Sequence, residues 1–80
     1  MNIKELFEKY KNEPLSSKAS IDSFLMGLAY LRGYGYVTDI DAKDSIIYLY
    51  TEREEYMDDI CVKYLCTLGF SYEDGIVYYT

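Results

Sequence analysis

The stretch SIIYLY, from Ser45 to Tyr50, places five large apolar or aromatic residues in a row. Strict alternation sets Ile46, Tyr48 and Tyr50 on one face and Ile47 and Leu49 on the other, the mark of a strand. A run this short, rich in β-branched and aromatic residues, is a poor helix and a good strand. The chain before it has a different period. In NIKELFEKYKNEP, Ile3, Leu6, Phe7 and Tyr10 recur at the i, i+3, i+4, i+7 spacing of one buried helical stripe. The two periods together dictate a mixed fold, with helices packed on a sheet.

Local signals order the elements. Asn2 with Glu5 three residues later forms a capping box for the first helix, and Pro14 ends it. PLSSKAS is a connector. A second helix starts near Ser17 or Ser20 and runs through IDSFLMGLAYLRG, with Ile21, Phe24, Leu25, Leu28 and Leu31 on one face. Met26 and Tyr30 make this helix apolar nearly all round, so it is expected to be the most buried, with Gly33 as its C′ stop. YGYVTDI and SIIYLY are expected strands, joined by a four-residue loop, Asp41 to Asp44. A third helix is expected to start at Thr51, in a capping box with Glu54, and to end at Gly69. Its buried face would hold Met57, Ile60, Cys61, Tyr64, Leu65 and Leu68. In FSYEDGIVYYT, Asp74-Gly75 is the preferred pair for a two-residue turn, read as a short hairpin or as a turn into an edge strand. The fold class is α+β, in the order α-α-β-β-α-β with room for one more strand, and the sheet is antiparallel or mixed. The chain, residues 1–80, is expected to form a single compact domain of modest stability.

Composition narrows the chemistry. There is no histidine, so Cys–His and Ser–His–Asp arrangements cannot be built, and the chain is not expected to be an enzyme. Asp39-Ile40-Asp41 opens like a calcium loop, but Lys43, Asp44 and Tyr50 stand where such a loop needs an acid or Asn, Gly and Glu. Two cysteines without histidine make no zinc site. Cys61 and Cys66 lie about 140° apart on the expected helix and cannot pair within it. Gly33-Tyr34-Gly35 lacks the further glycine and the preceding strand of a dinucleotide fingerprint, and no Walker lysine is present. No metal or cofactor is therefore expected. The net charge of −6 disfavours direct contact with nucleic acid or an anionic membrane. The N-terminus lacks the apolar core of a signal peptide, and no apolar run reaches the roughly 20 residues of a membrane span, so a cytoplasmic location is expected.

What stands out is TEREEYMDDI, Thr51 to Ile60, which holds five acidic residues and one basic. Read as helix, it explains Glu52 and Glu54 as first-turn acids at the positive end of the dipole. Glu52, Glu55 and Asp59 then form a row opposite the buried face. Glu54–Asp58 and Glu55–Asp59 are like-charge pairs, with only Lys63 to compensate. The other unusual feature is the eleven tyrosines. If helices cover one sheet face, a tyrosine-rich face is left exposed. Tyrosine beside acid on a surface is more typical of a protein-binding site than of a catalytic pocket. The expected contact residues are Glu52, Glu55, Asp58, Asp59, Tyr48, Tyr50 and Tyr78.

In length and composition, with TEREEYMDD as the sharpest feature, the chain resembles small acidic phage-encoded anti-defence proteins of the anti-CRISPR and anti-restriction type, and also nuclease-immunity proteins. That resemblance implies an inhibitor, acting inside a bacterial host cell, that mimics DNA and occupies the basic surface of a nucleic-acid-processing protein as a monomer or homodimer. The other reading is a non-enzymatic interaction or homodimerisation module, joined through an open sheet edge or the second helix, whose acidity provides only solubility.

Overall fold

Asn2 caps the first helix as its spacing requires. Its side-chain oxygen accepts from the Glu5 amide at 2.8 Å, and the Glu5 carboxylate accepts from the Asn2 amide at 3.4 Å. The computed structural model describes residues 2–12 and 21–79. The helix end at Pro14, the connector and the start of the second helix lie outside the described residues. Helix α1 (Ile3–Tyr10) buries Leu6 and Phe7 and half-buries Ile3 and Tyr10, the expected stripe. Then come α2 (Ile21–Gly33), β1 (Val37–Lys43), β2 (Ile46–Thr51), a 3-10 turn at Glu54–Tyr56, α3 (Asp59–Thr67), β3 (Phe70–Tyr72) and β4 (Ile76–Tyr79). The strands form one antiparallel sheet in the order β1-β2-β4-β3, so the fold is α+β with helices packed on a sheet.

Register divides the sheet into two faces. Cross-strand partners share a face, which puts Ile40, Leu49, Ile47, Ile76, Tyr78, Phe70 and Tyr72 on one side. The helices meet that side. Phe7 packs on Tyr72, Phe24 packs on Phe70 and Tyr78, and the Ser23 and Tyr78 hydroxyls share a buried hydrogen bond of 2.8 Å. Leu31, Val62, Leu65, Leu68 and Ile76 fill the core between them.

Helix α2 departs from expectation. It is not buried all round: Ile21 is 74% exposed, and Leu25 and Met26 are each 52% exposed. Its buried stripe is Ser23, Gly27 and Leu31, four residues apart. The stripe is set by close approach to β3. A Cβ at Gly27 would stand 2.2 Å from the Phe70 ring, so only glycine lets the helix lie this near. Three helices share one sheet face, and α2 receives only a strip of it. Its C′ glycine is Gly35, not Gly33. Tyr36 N donates to Leu31 O and Gly35 N to Arg32 O, the two bonds of a Schellman motif, and Gly35 has φ +75°.

Both hairpins differ by a residue or two from their expected form. β1 continues through Asp41, Ala42 and Lys43, and Lys43 pairs with Ile46. The loop is Asp44-Ser45 alone, with φ 52° and 66°, the left-handed pair of a type I′ turn. Asp is among the residues that adopt this conformation readily, and the turn matches the strand twist. In the second hairpin Tyr72 pairs with Ile76, which leaves a three-residue loop, Glu73 to Gly75, closed by Glu73 N donating to Gly75 O. β4 is an interior strand, because β2 pairs with its other side.

The largest correction concerns TEREEYMDDI. No continuous helix starts at Thr51, which ends β2 opposite Val37. Glu52 N still donates to Tyr36 O, and Arg53 then takes a left-handed φ of 55°, which no α-helix allows. The α-helix begins seven residues later than expected, after Asp58. Asp58 accepts the Cys61 amide at 2.9 Å as N-cap, and Gly69 ends the helix as expected. Cys61, Leu65 and Leu68 are buried and Tyr64 half-buried, as the period predicts, but Ile60 is 76% exposed. Met57 reaches the core from extended backbone. Among the described residues no helix is long and apolar enough to cross a membrane.

Candidate protein-binding surfaces

The new course of residues 51–60 redistributes their charges. Glu54 is tied at both carboxylate oxygens, accepting from the Thr51 hydroxyl at 2.7 Å and the Tyr72 hydroxyl at 3.4 Å. The spacing of a capping box is thus used as a side-chain clasp across a turn. Asp58 is the N-cap of α3. Asp59 accepts from the Tyr10 hydroxyl at 2.7 Å and the Lys9 ammonium at 3.2 Å, pinning α1 to the start of α3. The Tyr10 bond, and then Lys9, hold the Asp59 carboxyl below its usual pKa, and the same bond raises that of Tyr10. The expected row of Glu52, Glu55 and Asp59 on one helix face does not exist. Glu52 and Glu55 remain as exposed acids, whereas Asp58 and Asp59, though exposed, carry structural bonds.

Of the tyrosines expected to make contacts, Tyr78 belongs to the core. It is 2% exposed, on the helix side of the sheet. Tyr48 and Tyr50 lie on the opposite face, where Tyr48 is half-buried and Tyr50 is 52% exposed. That outer face is built by register. Asp39 stands across from Tyr50, Asp41 across from Tyr48, Lys43 across from Ile46, and Ile46 across from Tyr79. Val77 lies between its cross-strand neighbours Tyr48 and Ser71 and is fully buried there. The Glu73 carboxylate beside Tyr79 pushes the tyrosine's pKa up. Two aspartates two residues apart on one strand stand about 7 Å apart, each beside a tyrosine. The sequence pattern points to Tyr48 and Tyr50 on this face, but to Tyr78 in place of its neighbour Tyr79. Asp39 lies within the expected strand and Asp41 in the expected loop, and only the observed register sets both beside tyrosines.

Asp39 and Asp41 also act locally. Asp39 Oδ1 accepts from Ile40 N at 2.8 Å, and Asp41 Oδ1 from Ala42 N at 2.9 Å. β1 is an edge strand, so two of its amides are occupied by carboxylates. A charged edge of this kind resists pairing with a second chain.

A second surface lies where α2, the start of β1 and the 3-10 turn meet. Tyr30, Tyr34, Tyr36, Tyr56, Asp58, Ile60 and Cys61 line a cleft of about 290 Å³. The Tyr30 ring meets Tyr34 and Tyr64 edge to face, with centroids 4.9 and 4.8 Å away, and Tyr34 stacks on Tyr36 at 6.3 Å. Arg53 reaches the adjoining side of the mouth and donates to the carbonyls of Tyr34 and Gly35 at 3.2 and 3.3 Å. Burial pushes the Cys61 thiol up in pKa, despite a hydrogen bond with Tyr30. The signal for this cleft in the sequence is the spacing of Tyr30 and Tyr34, one helical turn apart, followed by Tyr36. Only the arrival of Tyr56 and Asp58 from a distant segment completes it.

No protein-family model matches the chain, and comparisons with curated proteins and with solved structures give no match.

Proposed function

We propose that this chain is a small acidic inhibitor that docks on a basic, nucleic-acid-binding surface of a protein such as a CRISPR effector, restriction enzyme or nuclease. It acts as a DNA mimic. The observation that supports this reading is the outer sheet face, where exposed Asp39 and Asp41 stand directly across from Tyr50 and Tyr48. Carboxylates offer a basic groove the charge that phosphates would, and tyrosines supply rigid contact area at low entropic cost. Exposed Glu52 and Glu55 extend the negative field beyond β2.

The test is displacement of labelled duplex DNA from a panel of such effectors at two salt concentrations. An acidic mimic loses affinity steeply between 50 and 200 mM salt, on the order of tenfold or more. Failure to displace DNA from any panel member, or displacement indifferent to salt, defeats the proposal.

One observation favours the second reading, an interaction or homodimerisation module. Ile21, Leu25 and Met26 leave an apolar strip exposed on α2. The β1 edge, blocked by its own carboxylates, is the poorer route to a dimer. Sedimentation decides between the two: a concentration-dependent dimer that Leu25→Glu dissolves supports the module, and a monomer at all concentrations removes its homodimer form.

A further inference from the structure

The tyrosine cleft has a size, a lining and a charge that together select a ligand class. At about 290 Å³ it lies at the lower limit of small-molecule sites, too small for a nucleotide or a large cofactor and adequate for one long side chain. Its lining is predominantly aromatic: Tyr34 and Tyr56 are exposed, and Tyr30 and Tyr36 are half-buried. Aromatic faces carry negative quadrupole potential and attract cations.

The fixed charges agree. Asp58 lines the cleft and spends Oδ1 on the Cys61 amide, while Oδ2 has no hydrogen bond among the described residues. Arg53 stands at the adjoining mouth, but its guanidinium is already held by two carbonyls. Residues 52–59 carry five acids against Arg53, and Lys9 pairs with Asp59, so the segment stays net negative.

We infer that this cleft takes a cationic side chain, an arginine guanidinium, from the protein partner, stacked on the tyrosines and paired with Asp58. A planar guanidinium stacks on aromatic faces and bonds a carboxylate through a rigid fork, as a lysine ammonium does not. This inference rests on the proposed function for its partner, a protein with a basic surface. It adds one anchored side chain to a contact otherwise made through an open face, and buried arginine–aromatic contacts dominate many interfaces.

The experiment is an NMR titration of the chain at low salt with N-acetyl-arginine amide and, separately, with its uncharged isostere N-acetyl-citrulline amide. Saturable shifts at Tyr56, Ile60 and Cys61 are expected with the arginine probe, and binding at least about fivefold weaker with citrulline. Asp58→Asn keeps the N-cap, because asparagine caps as well as aspartate, and is expected to weaken arginine binding about threefold or more. Tyr56→Ala should weaken it similarly, and Tyr56→Phe should stay within about twofold. Equal binding of citrulline, indifference to Asp58→Asn, or unsaturable shifts spread to Asp39 and Asp41 would each overturn the inference. Failure here with DNA displacement intact would remove the cleft and leave the inhibitor reading standing. Loss of DNA displacement with arginine binding intact would do the reverse.

Discussion

Tyr78 and Tyr79 are neighbours on one strand and sit in opposite environments. Tyr78 points into the helix layer, 2% exposed, between Phe24 and Phe70, with its hydroxyl on Ser23. Tyr79 points to the outer face, 41% exposed, beside Glu73. The same division runs through the whole sheet. The inner face spends its aromatic residues on the core, while the outer face holds Tyr48, Tyr50 and two aspartates against solvent. In a chain of this size one core is all that three helices can cover. Residue type alone therefore does not say which tyrosines can meet a partner; strand register does.

The contrast can be tested by substitution. Tyr78→Ala is expected to cost about 3–5 kcal/mol, enough to unfold most of a domain this small, whereas Tyr50→Ala should stay within about 1 kcal/mol. Chemical denaturation measures both, and similar costs would erase the distinction between the faces. Gly27→Ala pits a gain of about 1 kcal/mol in helix propensity against the Phe70 ring, and overpacking of about 1–3 kcal/mol is expected to win. A stabilised Gly27→Ala variant would mean that α2 is free to move off β3.

Smaller effects separate structural acids from surface acids. Asp58→Ala should cost about 0.5–2 kcal/mol through loss of the α3 cap, and Asp58→Asn should cost little. Asp59 has a depressed folded pKa, so its contribution to stability is present above its unfolded pKa, about 3.9. That contribution is lost as pH falls through the folded value. The melting temperature of Asp59→Asn should lie slightly below wild type at pH 7 and approach it as the pH is lowered below about 4. A gap that does not narrow as pH falls below about 4 would show that the Tyr10 and Lys9 bonds are not its source.

Much of this division was legible in the sequence, and the failures have local causes. The α1 capping box and its stripe, the alternation of β2, the α3 end at Gly69 and the α+β class follow from short-range pattern. The start of α3 did not, because two N-cap signals compete within eight residues. Thr51 with Glu54 has the spacing of a capping box, but β-pairing of Thr51 with Val37 holds that segment extended, and Asp58 wins. Helix α2 reads as buried because apolar residues surround it. Only the placement of Phe70 against Gly27 reveals which strip is covered. The type I′ turn at Asp44-Ser45 lacks the glycine that usually marks one, and this displaced Asp41 from the strand and hid its partnership with Tyr48. The tyrosine cleft joins three separate segments and has no continuous signature.

The central claim is that binding resides on the outer face and not in net charge alone. A charge-matched pair of variants tests it in the DNA-displacement assay. Asp39→Lys/Asp41→Lys alters the outer face. Glu8→Lys/Asp22→Lys makes the same change in charge on exposed positions of α1 and α2. The outer-face variant should lose at least about tenfold in potency while the helix-side variant stays within about threefold, with both folded by circular dichroism. Equal losses in the two variants, or an outer-face variant as potent as wild type, would contradict the account.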